Sequence, residues 1–169
     1  MDTKGSYIEH DIEPVFDRES RVLMLGTMPS PRSRQEGFFY GHPQNRFWKV
    51  LAALFNEPVP ATIPEKKRFL LDHHIALWDV LASCSIQGAS DASIRDPRPN
   101  DLRLILDQAD IQQIFCTGAK AAQLYRRLCE PYLGIPCVQL PSTSPANAQM
   151  RLPDLIAAYE AALKPYLLA

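Results

Sequence analysis

The segment that most constrains this chain is short. Val22 to Leu25 carries no polar side chain, and the eight residues after it hold a glycine, two prolines and three Ser or Thr. An uncharged apolar run of this kind reads as a strand buried on both faces. The break that follows stops a helix from starting at once. Next comes Phe38-Phe39-Tyr40-Gly41-His42-Pro43-Gln44-Asn45-Arg46-Phe47-Trp48, a dense mixture of aromatic, amide, imidazole and guanidinium groups. Open parallel sheets bind ligands just beyond the carboxyl ends of their strands, so this stretch has the position and chemistry of a site.

The rest of the chain alternates strand and helix. Residues 5–20 read as an edge strand or a lead-in, and Arg21 to Leu25 as the first firm strand. Pro43 suits a first helical turn, and Phe47, Val50, Leu51, Leu54 and Phe55 recur at helical spacing, predicting a helix over about 44–56. Glu65 to His74 reads as a second helix, with Phe69, Leu70 and Leu71 facing inward. Ile75 to Leu81 reads as a short strand, and Ser83 to Asn100, with Gly88, Pro97 and Pro99, as a long polar loop. Asp101 caps a helix to about Ala109, Ile111 to Thr117 is a third strand, and Ala119 to Cys129 a helix. Ile135 to Leu140 is a fourth strand, followed by a rigid loop at Pro141–Pro145 and an amphipathic helix over 152–164. Strands alternating with helices predict a three-layer α/β/α sandwich around a central, mostly parallel four-stranded sheet. The two Pro/Ser-rich breaks, after the first and fourth strands, then share one edge of the sheet and frame one cleft.

The 169 residues suit a single domain, 1–169, with a sizeable core. No apolar run approaches the roughly 18 residues of a membrane helix, and Met1 to Gly5 lacks the apolar core of a signal peptide. A cytoplasmic protein that does not meet a membrane is expected, and a monomer. Cys84, Cys116, Cys129 and Cys137 form no C-x-x-C pair and read as reduced thiols, with no metal and no cofactor implied. A net charge of −1 argues against a broad electrostatic footprint on nucleic acid, while leaving room for a small basic face.

At the level of motifs, Gly26-Thr27-Met28-Pro29 together with Phe39 to Trp48 resembles the first motif of the uracil-DNA glycosylase superfamily. The likeness is closest to the hypoxanthine-DNA (DNA-deoxyinosine) glycosylase branch and extends to the mismatch-specific uracil/thymine branch. Leu140-Pro141-Ser142-Thr143-Ser144-Pro145-Ala146-Asn147 is similar to the second motif, the loop that probes the duplex. Leu77-Trp78-Asp79-Val80 and Gly118 to Ala122 resemble the segments between, so the likeness covers about residues 20–165. Met28 stands where the mismatch-specific branch has a catalytic Asn. The hypoxanthine branch also has an apolar residue there, and its catalytic role is associated with the Asn of the His-Pro-x-Asn element, here Asn45.

The resemblance implies excision of a deaminated base, most simply hypoxanthine, from double-stranded DNA. Such an enzyme everts its base into a pocket. Tyr40 matches the stacking aromatic; the other reading of Tyr40 is a core ring. Asn45 can accept from a water through its carbonyl and donate through its amide, positioning water more than activating it. Its alternative is a cap at a helix start. By motif position, Gly26, Thr27 and Met28 contact the base, with the backbone N–H groups of Thr27 and Met28 suited to O6. Ser142 joins them, and His42 either sits beside the base or holds the loop in shape. Pro141, Ser142, Thr143, Ser144, Pro145 and Asn147 would press into the DNA, with Lys120, Arg32 and Arg151 adding local charge; a plain strand-to-helix turn is the other reading of that loop. Asp79 and Asp91 are alternative general bases or solvated side chains. No lysine is placed by motif to form a Schiff base, so strand cleavage is not expected. Two further classes stay open: a non-catalytic binder of distorted duplex, and a nucleoside hydrolase. The absence of a G-K-[S/T] phosphate loop argues against nucleoside triphosphates.

Overall fold

The structure is a computed structural model that describes residues 6–87 and 91–168. Its centre is a four-stranded parallel sheet in the order β3-β2-β6-β7. β2 (Val22–Gly26) and β3 (Ile75–Asp79) are buried at every position; their apolar runs account for all of these except Asp79, the buried charged residue that ends β3. β6 (Gln113–Thr117) pairs with the other side of β2, and β7 (Cys137–Leu140) closes the far edge. Between β2 and β3 run α1 (Pro31–Glu36), α2 (Phe47–Leu54) and α3 (Ile63–Asp72). The path from β3 to β6 includes α4 (Arg103–Leu106), that from β6 to β7 holds α5 (Ala119–Leu128) and α6 (Glu130–Leu133), and α7 (Leu152–Leu167) ends the chain. The strand order reverses direction at β2. Right-handed crossovers on either side of that point put helices on both faces, which gives the three layers. α3 packs on β3, α5 on β6 and β7, and α7 returns against α2.

Two sequence expectations change here. The apolar run Ile75–Leu81 is not one strand, because the chain turns at Val80 and leaves the sheet. Ser83–Asn100 is not a loop either. β4 (Leu81–Ile86) and β5 (Arg95–Pro99) form an antiparallel hairpin, and β1 (Ser6–Glu9) adds to it, making a second sheet in the order β1-β4-β5. β5 escapes a sequence reading because it is an exposed edge strand with Pro97 and Pro99, and prolines are tolerated only at such an edge. Its pairing with β4 also shifts register between Leu81 and Ser83 and between Ser83 and Ser85, which erases any alternation. Gly88 lies outside the described residues. Asp91 opens a 3-10 turn, Asp91–Ser93, and its side chain lies outside what is described.

The corner at Val80 is tied on both sides. Its N–H donates to Gly26 O at 2.8 Å, and Leu81 N donates to Thr27 O at 3.1 Å. The buried Asn100 side chain donates to Asp79 O and Leu81 O, each at 3.0 Å, and its backbone N–H to Val80 O. The corner therefore fixes where β3 stops, and with it the position of Asp79.

α2 starts at Phe47, three residues later than the prediction from about 44. Asn45 N turns back to His42 O, and Arg46 N is drawn away to Thr143 O at 3.1 Å. α4 is shorter than predicted and ends at Leu106; the Asp101 carboxylate does meet a helical donor, Arg103 N, at 3.2 Å. Among the described residues no helix is long and apolar enough to cross a membrane.

Candidate functional site

All four strands of the parallel sheet end at one cavity of about 150 Å³. Asp79 comes from the end of β3, Gly26 to Ser30 from the end of β2, Thr117 from the end of β6, and Ser142 to Ser144 from just beyond β7. Tyr40 and Asn45 enter from the segment between α1 and α2. The two Pro/Ser-rich breaks do meet. A space of this size has room for one flat ring system.

Tyr40 stands in the left-handed region, φ 53, and its ring lies flat on buried Phe47, with centroids 4.0 Å apart and planes 9° apart. Its hydroxyl bonds Thr117 Oγ1 at 2.9 Å, and Thr117 in turn donates to Leu25 O at 3.3 Å, so the phenol is the donor in the first bond. Burial, and then the nearby charge of Asp79, push the Tyr40 hydroxyl well above its ordinary value of 10.0. Tyr40 is thus a rigid neutral wall, backed by a second ring.

Asn45 lines the cavity and also holds the start of α2. Its Oδ1 accepts Phe47 N at 3.0 Å, which settles which end is oxygen, and it also accepts the Thr143 hydroxyl at 2.8 Å. A carbonyl oxygen has two lone pairs, so this one is filled. The group left to face the cavity is the amide NH2, which donates. The carbonyl acceptor suggested by the sequence is therefore occupied by the protein itself.

The loop after β7 is fixed from below. Thr143 is 1% exposed. The Arg46 guanidinium donates to the carbonyls of Ser144 (2.8 Å), Asn147 (3.1 Å), Thr143 (3.4 Å) and Met150. Ser142 Oγ accepts Ser144 N, Ser144 Oγ accepts Ala146 N, and Asn147 Nδ2 donates to Ser142 O. Pro141 O receives the Tyr159 hydroxyl at 2.6 Å. Pro145 is exposed at the tip.

Of the sequence candidates, Gly26, Thr27, Met28, Tyr40, Asn45, Ser142, Thr143 and Ser144 line the cavity together. His42 does not; it is exposed, and its Nδ1 accepts Gln44 N, so it shapes the turn. Pro141, Pro145 and Asn147 belong to the loop but not to the cavity wall, and half-buried Lys120 sits in the first turn of α5. Sequence reasoning missed His10, Phe39 and Thr117. Thr117 could have been found as the polar residue ending a buried strand. His10 could not, because its partner Asp79 lies 69 positions away and only the pairing of β1 with β4 brings them together.

Comparison with known proteins bears on this geometry. A profile of the uracil DNA glycosylase superfamily matches residues 13–164. A hypoxanthine DNA glycosylase from Methanosarcina acetivorans is 31% identical over 141 residues, covering 83% of this chain and 89% of the relative. One from Methanosarcina barkeri is 29% identical over 112 residues, 65% of this chain and 71% of the relative. The solution NMR structure of a candidate uracil DNA glycosylase from M. acetivorans superposes with a TM-score of 0.74 at 27% identity, over 92% of this chain and 98% of that one. The profile match runs from the lead-in segment into α7 and takes in all four parallel strands and both loops of the cleft, so the chain belongs to the uracil DNA glycosylase superfamily and is a DNA glycosylase.

Proposed function

We propose that this enzyme removes hypoxanthine from deoxyinosine in duplex DNA, as a monofunctional glycosylase. The observation that carries the reading is the cavity where four strand ends meet, walled by Tyr40 and supplied by Asn45 with donors only. The relatives named hypoxanthine DNA glycosylases support the choice of base.

In this reading the loop Pro141–Asn147 occupies the gap left by the everted nucleotide. Its prolines and the Arg46 clamp keep it stiff, so little order remains to be imposed on binding. The base lies against Tyr40. The bond from C1′ to N9 breaks with its electron pair going to the base, leaving positive charge on the sugar. Donors placed where that negative charge develops lower the barrier. The Asn45 amide is one, and the backbone N–H groups of Thr27 and Met28, facing O6, are the others assigned here. Water adds its oxygen to C1′ and its proton ends on the departing base anion, yielding free hypoxanthine and an abasic sugar. Asn45 cannot take that proton, so it holds and orients but does not act as a base.

A base-release assay on duplexes carrying deoxyinosine, deoxyxanthosine or deoxyuridine tests the reading. Release from deoxyinosine at least tenfold faster than from deoxyuridine is expected. Release of uracil alone would overturn the assignment and return the chain to the mismatch-type reading. Release from free deoxyinosine as fast as from the duplex would make it a nucleoside hydrolase.

A further inference from the structure

The charge of this chain is unevenly spread. Residues 31–72, from α1 to the end of α3, hold seven Lys or Arg against four Asp or Glu, while the rest of the chain holds eleven against fifteen. Some of that positive charge is already answered. Arg32 pairs with Glu36 at 2.7 Å, exposed Arg68 reaches Asp72 at 4.0 Å, and Arg46 is turned inward onto the loop carbonyls. Lys66 and Lys67, consecutive in α3, enter no salt bridge among the described residues.

Both ammonium groups are held on rings instead. Lys66 Nζ stands 5.3 Å from the centroid of Trp48, and Lys67 Nζ 5.9 Å from that of Phe38. The two rings are stacked on each other, with centroids 6.0 Å apart, and both are buried. A lysine stem laid across a ring shields it from water while the charged head stays at the surface. Burial pulls the Lys66 ammonium below its ordinary 10.5, and the charge of Glu36 offsets this only in part. These heads are preset in place and short of negative charge.

Their place is the rim of the cleft. α3 leads into β3 and packs on it, so it runs antiparallel to the strands, and its first turns lie level with the strand ends that open on the cavity. Trp48 is in the first turn of α2, edge-on to Phe47 at 5.0 Å, and Phe47 is the ring that backs Tyr40. A continuous row of rings therefore runs from the cavity wall out to the two lysines.

We infer that Lys66 and Lys67 bind backbone phosphates of the duplex beside the everted nucleotide, on the α2–α3 side of the cleft. The contact goes beyond the excision reading and does not depend on which base is released. A polyanion is the partner that fits two unanswered positive heads, and the loop Pro141–Asn147 offers it no cation of its own. Tethering on the rings leaves little side-chain freedom to lose on binding. Each phosphate neutralised releases counterions, so the contact carries a salt signature.

Duplex binding titrated against salt tests it, with an abasic-site duplex and a fully paired duplex as probes. Lys→Met keeps a stem on the ring and removes the charge. Lys66→Met and Lys67→Met should each weaken binding of both probes about fivefold at about 50 mM salt, and each make the slope of log binding constant on log salt shallower by about one. Lys67→Arg keeps charge and ring contact and should hold the wild-type slope. Arg68→Met removes the same charge one residue further on, away from the rings, and should leave affinity within about twofold of wild type. Thermal melts report folding, and exposed Lys67 carries the test by itself if Lys66→Met is unstable.

The inference is overturned if both Met variants keep the wild-type affinity and slope. It is also overturned if Arg68→Met costs as much as Lys67→Met, because the effect would then belong to overall charge and not to a contact. Failure to release hypoxanthine would sink the substrate reading and leave this result untouched, since neither probe contains a base to be excised.

Discussion

In the proposed reaction Asn45 serves fold and chemistry together. Its carbonyl oxygen holds the start of α2 and the hydroxyl of Thr143, and its amide faces the cavity. Asn45→Asp separates the two. One carboxylate oxygen can keep both donors, while the other replaces the NH2 with an acceptor. The variant should unfold within about 1 kcal/mol of wild type, yet release hypoxanthine about 100-fold more slowly, the scale of losing one donor at a developing negative charge. Thermal melts and single-turnover kinetics check the two halves. Tyr40 acts as a neutral ring, since burial and Asp79 hold its hydroxyl protonated. Tyr40→Ala should weaken capture of the everted base by about 1–3 kcal/mol, read as a loss in kcat/KM. The pH profile of kcat/KM should show no limb below about 10.0 that disappears in Tyr40→Phe. Away from the site, half-buried Cys137 is pulled down to about 7 by the Cys116 thiol hydrogen bond and by the charge of Arg126, while Cys116 is driven up by that same bond and by burial. A lowered value means more thiolate at neutral pH, so iodoacetamide should label Cys137 before Cys84, Cys116 or Cys129, with onset near pH 7 by mass spectrometry.

Among the elements, the parallel sheet was legible because buried parallel strands hold uncharged runs, as β2, β3 and β6 do, and the half-exposed edge strand β7 is uncharged as well. The loop after β7 was legible as stiff, but its anchor was not. That anchor is Arg46, and only the fold shows which four carbonyls converge on it. A guanidinium fork suits that task and an ammonium does not. Arg46→Lys should lower stability by about 1–2 kcal/mol in urea, and Arg46→Ala by about 2–3 kcal/mol, with a larger loss of duplex affinity in each case because the loop is released. The β4–β5 hairpin was illegible for the reason that makes it tolerable: a bulged, proline-bearing edge has no alternating pattern to read. His10 belongs to the same class of omission, since long-range strand pairing sets its partner.

For the molecule as a whole, the net charge of −1 and a loop at 141–147 without Lys or Arg leave few phosphate contacts. Hydroxyls and backbone N–H groups must do most of the positioning, with Arg151 the cation nearest in sequence. The logarithm of the duplex binding constant should fall against the logarithm of salt with a slope of about −2, corresponding to about two neutralised phosphates. A slope beyond about −5 would point to a basic face elsewhere. The central claim is that the meeting point of four strand ends receives an everted base while the loop after β7 fills its place in the duplex. A crystal structure of Asn45→Asp bound to a deoxyinosine duplex tests that claim most directly. Hypoxanthine should lie against the Tyr40 ring between Gly26 and Ser142, with Pro145 between the flanking base pairs. A duplex bound with its deoxyinosine still stacked and the 141–147 loop clear of the helix would contradict it.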